Sequence, residues 1–221
     1  MTQAKAMKVA STLGWAAIAL AVILMLFSGA NRLGQMTLDP VTASELDVRY
    51  IQHPWVSLLH IVPGVLFLTL APLQFVARIR RRRISIHRGL GRLLATCAAI
   101  SGVIVLVLNI LFPSFGGIST QTATIFFGVI FLFSLAMAIR HILRKEVRQH
   151  REWMIRTFAL AVGVATVRVF FLLLGAITGL SFEETFGASF WLGFGVNLLI
   201  AEAWINYTRA SSRSVEGGNR V

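Results

Sequence analysis

The sequence predicts an all-α membrane protein, a polytopic helical bundle of six transmembrane helices with both termini cytoplasmic. Three observations carry this. The chain of 221 residues is 56% hydrophobic and only 14% charged, where a soluble domain holds roughly a quarter charged residues. Its apolar residues gather into six runs of about 20 residues, long enough to cross a hydrocarbon layer ~30 Å thick. The basic residues collect in alternate connections between those runs.

The runs lie at approximately 10–28, 55–77, 90–112, 122–143, 153–177 and 187–207. The first follows Lys5 and Lys8, as a secretory signal would. However, Leu13 to Ser28 is long for a signal core and Ser28-Gly29-Ala30 is a weak cleavage site, so it reads as a retained span. The connection 29–54 is the longest and is polar. Asp39-Pro40 and His53-Pro54 mark turns in it, because proline restricts the residue before it. Pro113-Ser-Phe-Gly116-Gly117 is a turn signature after the third run. Residues 1–9 form a short cytoplasmic N-terminus, 10–208 the transmembrane domain, and the polar stretch 209–221 a tail expected to be disordered.

Two stretches echo each other. Arg78-Ile-Arg-Arg-Arg-Arg83 is followed by His87-Arg88, and Arg140-His-Ile-Leu-Arg144-Lys145 by His150-Arg151, each His-Arg pair opening an apolar run. Runs two and three, and runs four and five, therefore read as related hairpins.

A net charge of +12 would suggest nucleic acid in a soluble protein. Here 18 of the 21 Lys and Arg lie at the N-terminus, in 78–92, in 140–156 and after the sixth run. The opposite connections hold Arg32 and Arg49 against Asp39, Glu45, Asp47, Glu183 and Glu184. Basic residues accumulate on the cytoplasmic side, which orients the chain in a bacterial inner membrane. The basic loops then serve topology and contact anionic lipid. They are too short to bind nucleic acid without a fold to hold them. A protein partner or a homo-oligomer stays open. Cys97 is the single cysteine, which excludes a disulfide framework or a cysteine zinc site within one chain.

Ionisable groups inside a bilayer are costly and are functional candidates by default. One level holds His60, Arg168, Asn109 and Asn197. The other, beside the basic turns, holds Gln74, His87, Arg88, Arg92, His141, His150, Arg151, Trp153, Arg156 and Glu202. Arg and Trp near helix ends also snorkel or anchor at headgroups, and Arg156 with Glu202 can form an ion pair. In His60-Ile-Val-Pro63-Gly64 the proline frees a backbone carbonyl and the glycine permits close helix approach.

Three chemistries suit these groups. Membrane b-type haems take axial His from facing helices, with Arg near the propionates. His87 with His150, or with His141, would supply such a pair, whereas His60 lacks an evident second His. A quinone, lipid or anionic metabolite would use His60 and Arg168. Packing alone is the third reading. The zinc-hydrolase His-Glu-x-x-His pattern, Walker sequences and Gly-rich dinucleotide fingerprints are absent.

His60-Ile-Val-Pro-Gly64, Ala71-Pro-Leu-Gln74-Phe75, His87-Arg88-Gly-Leu-Gly91-Arg92 and His150-Arg-Glu-Trp-Met154-Ile-Arg156, followed by Arg168, resemble in order the pattern of DUF2306, a family of uncharacterised bacterial multi-pass membrane proteins. The resemblance covers about residues 50–175. It implies a multi-helix membrane protein and no established activity. His141 falls outside the family pattern, which favours His87 with His150 as the pair for a haem iron.

The leading expectation is a protein that binds a cofactor or small ligand in its bundle, a haem b or quinone type electron carrier. His60, His87, His150 and Arg168 are its candidate residues, supported by Gln74, Arg92 and Arg156. The alternative is a non-enzymatic scaffold or partner subunit that binds anionic lipid through its basic face. A small-molecule transporter is the third. A reporter domain fused after Val221 is expected to read cytoplasmic, and a periplasmic signal would overturn the orientation.

Overall fold

The structure, a computed structural model, describes residues 3–37, 47–112 and 114–218. Asp39-Pro40 and Pro113, expected at turns, lie outside the described residues. Among those described there are eight helices and no strand: α1 (Gln3–Gln35), α2 (Val48–Gln52), α3 (Pro54–Phe75), α4 (Ala77–Arg82), α5 (Ile84–Leu111), α6 (Gly117–Leu143), α7 (Val147–Thr178) and α8 (Phe182–Gly218). Six of them, α1, α3, α5, α6, α7 and α8, are long and apolar enough to cross a membrane. The protein is therefore an all-α, multi-pass membrane protein. Two boundaries differ from expectation in an instructive way. The helices α5 and α7 begin at Ile84 and Val147, a turn or more before the apolar runs do, because hydropathy does not register a charged first turn. The last helix continues to Gly218, through most of the stretch expected to be a disordered tail. No proline interrupts 209–218, and the first glycines come only at Gly217-Gly218.

The chain divides into two compact units, Met1–Phe115 and Gly116–Val221. In the first, α3 and α5 form the central pair, α1 packs on α3, and the short helices α2 and α4 sit at the two ends of α3. The buried face of α5 runs Leu94, Cys97, Ala98, Ser101, Gly102, Leu108, Asn109. This three-and-four spacing is one stripe of a helix. Pro54 opens α3 at its first position, where the missing N–H costs nothing. Pro63 and Pro72 lie inside the same helix, and each withholds a hydrogen bond from the carbonyl four residues earlier. Tyr50, Ile61 and Leu108 form the apolar centre near α2.

In the second unit α7 packs along α8, and α6 packs against both. Phe127, Leu160, Val167 and Phe194 with Ala123 make its core. The rings of Phe127 and Phe194 stack at 5.1 Å. Lipid tails are as apolar as these side chains, so helices in a membrane associate through close packing at small residues. Gly193 is such a point. A Cβ there would meet the backbone of Val167 at 2.7–2.8 Å. The ring of Phe194 occupies the space beside Gly163 in the same way. The helix α7 ends at Gly179, whose φ of 64° is the left-handed conformation that stops a helix.

Gly193→Ala is expected to lower the stability of the detergent-solubilised protein by about 1–3 kcal/mol, the usual cost of overpacking. Gly175→Ala, where nothing lies within 4 Å of the added methyl, is the neutral control. Thermal unfolding followed by size exclusion reads both; equal melting temperatures would refute the close α7–α8 contact.

Candidate ligand sites

The two His-Arg pairs occupy the same helical register. Arg83 caps α5 and Glu146 caps α7, so His87 and His150 are each the fourth residue of their helix. The backbone N–H of His87 donates to the Arg83 carbonyl at 3.0 Å, and that of His150 to the Glu146 carbonyl at 3.0 Å. Both imidazoles are half-buried, whereas the neighbouring Arg88 and Arg151 are exposed.

His150 is fixed across helices. Its Nδ1–H donates to the carbonyl of Ala138 on α6 at 2.9 Å. A carbonyl only accepts, so the proton of the neutral ring sits on Nδ1 and the lone pair on Nε2. No hydrogen-bond partner of Nε2 occurs among the described residues. An Nδ1–H held by a backbone carbonyl is the arrangement that orients an imidazole for metal ligation through Nε2.

His60, on α3, shows the same logic in the first unit. The Ser101 hydroxyl donates to the His60 carbonyl at 2.9 Å, which uses its only proton. Its oxygen, 3.0 Å from Nδ1, can then only accept there. The Ser101 carbonyl lies 3.0 Å from the same Nδ1. Either way Nδ1 carries the proton and Nε2 the lone pair. Gly64 makes the contact feasible, since a Cβ there would lie 2.8 Å from Ser101 Oγ.

Within each unit the two levels stay apart. Ser101 lies beside His60 and Gly91 beside Gln74, so α3 and α5 run antiparallel. His60 and His87 are then separated by roughly 20 Å along the helices. On α7, His150 and Arg168 are about 27 Å apart by the same rise. Arg168 donates to its own helix, to the Val164 carbonyl at 2.8 Å. Asn197 on α8 donates to Thr166 Oγ1 at 2.7 Å. Asn109 belongs to the first unit, near α2. The amide nitrogen of Gln74 is buried without a hydrogen bond among the described residues, and Arg92 is exposed.

Near His150 the charges pair off. Arg156 meets Glu202 through two bonds, at 2.5 and 2.9 Å, and lies over the Trp153 ring at 4.5 Å. Glu152, buried, accepts from Arg209 through both carboxylate oxygens, the Nε bond at 2.7 Å, and from Arg148 at 3.4 Å. His141 pairs with Glu146 in the turn, which gives it a structural role. No group of three His, Cys, Asp or Glu able to hold a metal ion occurs among the described residues.

Sequence reasoning missed one cluster. Arg32 pairs with Asp47 at 2.7 Å and lies 3.9 Å above the Tyr50 ring. Arg49 donates to Asn109 Oδ1 at 3.3 Å, Ser114 Oγ at 2.8 Å and Tyr50 Oη at 3.2 Å. His53 stacks on Phe112 at 3.6 Å. These residues tie α2 onto the ends of α1, α3 and α5. Two arginines in an otherwise acidic connection were the available signal.

Gly64→Ala is expected to cost about 1–3 kcal/mol by overpacking against Ser101 Oγ. In the Ser101→Ala background the added methyl meets only the Ser101 Cβ, at 3.8 Å, so the double variant should lose less than the sum of the singles. Additive melting-temperature losses would show that the two residues do not touch.

No curated protein and no solved structure matches the chain. The family described as predicted membrane protein, DUF2306, matches residues 57–205, a span that contains His60, His87, His150 and Arg168 together with the pair of Arg156 and Glu202. The chain belongs to the DUF2306 family of membrane proteins.

Proposed function

We propose that the protein is a membrane electron carrier that binds a haem b, with His150 as a candidate axial ligand. The observation that carries this is the His150 Nδ1–H bond to the Ala138 carbonyl, which presents an Nε2 lone pair in a fixed direction. His87 holds the equal register in α5 and is the corresponding candidate ligand of the first unit. Arg151, exposed beside His150, suits a propionate of a haem. The haem would supply one-electron chemistry. The chain's own share is to hold the His150 imidazole in the tautomer that binds iron and to keep the surroundings apolar. This reading keeps both termini and the basic turns on the cytoplasmic side of a bacterial inner membrane, on the strength of the charge distribution.

A quinone or lipid is the second reading. It is favoured by His60, whose Nε2 has no hydrogen-bond partner among the described residues.

Protein expressed with ample haem and purified in mild detergent should show a Soret band, with a sharp α-band on reduction by dithionite. His150→Ala should abolish the α-band, while His141→Ala keeps it. The absence of any Soret band would sink the haem reading. Quinone found by mass spectrometry, and lost in His60→Ala, would favour the second.

A further inference from the structure

The two basic turns echo each other in sequence but differ in how their charge is met. From Val48 to Lys145 the chain contains no Asp or Glu. The acidic residues of the first unit, Asp39, Glu45 and Asp47, all precede α3. That helix has 22 residues and puts ~33 Å between Asp47 and α4. The seven arginines from Arg78 to Arg92 thus have no carboxylate near them among the described residues of their own unit. None of their guanidinium groups makes a hydrogen bond or ion pair among the described residues. The second turn is different. It contains Glu146 and Glu152, it draws Glu202 from α8, and its Arg148 and Arg156 are paired.

The first turn also concentrates its charge. Extended backbone at Val76 and a break at Arg83 set α4 off as a separate short helix. Ile79 and Arg80 are half-buried, so α4 turns that side inward and leaves Arg78, Arg81 and Arg82 exposed together. At i, i+3 and i+4 these three stack on one face and repel. Next to them α5, a helix of 28 residues, begins with no acidic residue in its first turn and no side-chain cap. Its free N–H groups and the positive end of its dipole add to the same field. Beside the cations lie exposed aliphatic side chains, Ile84, Ile86 and Leu93, which are 46%, 52% and 54% exposed.

We infer that α4 and the first turns of α5 form a binding site for anionic phospholipid. The phosphate lies among Arg78, Arg81, Arg82 and the N-terminus of α5, and the acyl chains lie along Ile84, Ile86 and Leu93. The mixture of unpaired guanidinium and exposed aliphatic surface is what separates this ligand from a free phosphate or a soluble acidic protein. The first is met by a phosphate diester and the second by hydrocarbon. The site does not depend on haem or on which leaflet faces α4.

The test uses the full-length protein in nanodiscs of phosphatidylcholine with increasing phosphatidylglycerol. Retained lipid is counted by native mass spectrometry after gentle release, at low and high salt. Retention of phosphatidylglycerol over phosphatidylcholine, weakened by salt, is expected. Each basic residue near an anionic surface contributes about fivefold in affinity. The triple variant Arg78→Gln, Arg81→Gln, Arg82→Gln should therefore lose roughly a hundredfold. The matched variant Arg140→Gln, Arg144→Gln, Lys145→Gln removes the same charge from the turn where Glu146, Glu152 and Glu202 already weaken the field, and should lose several-fold less. Equal losses from the two variants would overturn the site in favour of diffuse charge. No preference for phosphatidylglycerol, a preference indifferent to salt, or displacement of the lipid by an acidic protein that co-purifies would overturn it as well.

Discussion

A hydrocarbon layer offers no water to a polar atom, and the molecule is organised around that lack. Most polar side chains in the spans bend back onto their own helix. Thr69 bonds the Val65 carbonyl, Thr157 that of Trp153, and Ser189 that of Thr185. Asn109 bonds Val105, Asn197 bonds Gly193, and Arg168 bonds Val164. Each makes a bond to a carbonyl four residues away on its own helix, and Asn109 and Asn197 make others besides. The few bonds that cross between helices therefore stand out. His60 with Ser101 joins α3 to α5; His150 with Ala138 joins α7 to α6; Asn197 with Thr166, Arg156 with Glu202 and Arg209 with Glu152 join α8 to α7. These bonds, with the glycine contacts at Gly64 and Gly193, hold the helices of each unit in register.

The six spans were legible because apolar runs of membrane length rarely occur outside a bilayer. Helix ends were less so. Arg80 to Ile86 reads as a loop from hydropathy, yet it contains the end of α4 and the start of α5. Helices as short as α2 and α4 cannot show a repeating period. The pair Arg156–Glu202 followed from the rule that buried charges seek partners. Arg209–Glu152 did not, because two residues 57 apart are brought together only by the fold. The register shared by His87 and His150 was present in the sequence as the echo itself. The tautomer of His150 was not, since it depends on Ala138, which carries no polar side chain.

The echoing turns thus share a backbone plan and differ in chemistry. One has drawn acidic residues to itself, from the turn and from α8, and has fixed its histidine to a neighbouring carbonyl. The other has kept its arginines exposed beside aliphatic side chains. The same sequence motif can therefore serve ligand presentation at one place and surface attachment at another. The difference is legible only from which carboxylates lie within reach.

The division of the chain at Phe115 and Gly116 has a consequence for how the molecule is made. All the contacts that define the first unit come from residues synthesised before the second begins. At about 5–20 residues per second, translation of the remaining hundred or so residues takes several seconds or more. That interval is long compared with helix packing. The pairing of α3 with α5, including the contact between His60 and Ser101, can be complete before α6 has left the ribosome. The first unit can therefore settle without help from the second, and an error in it precedes every later step of assembly.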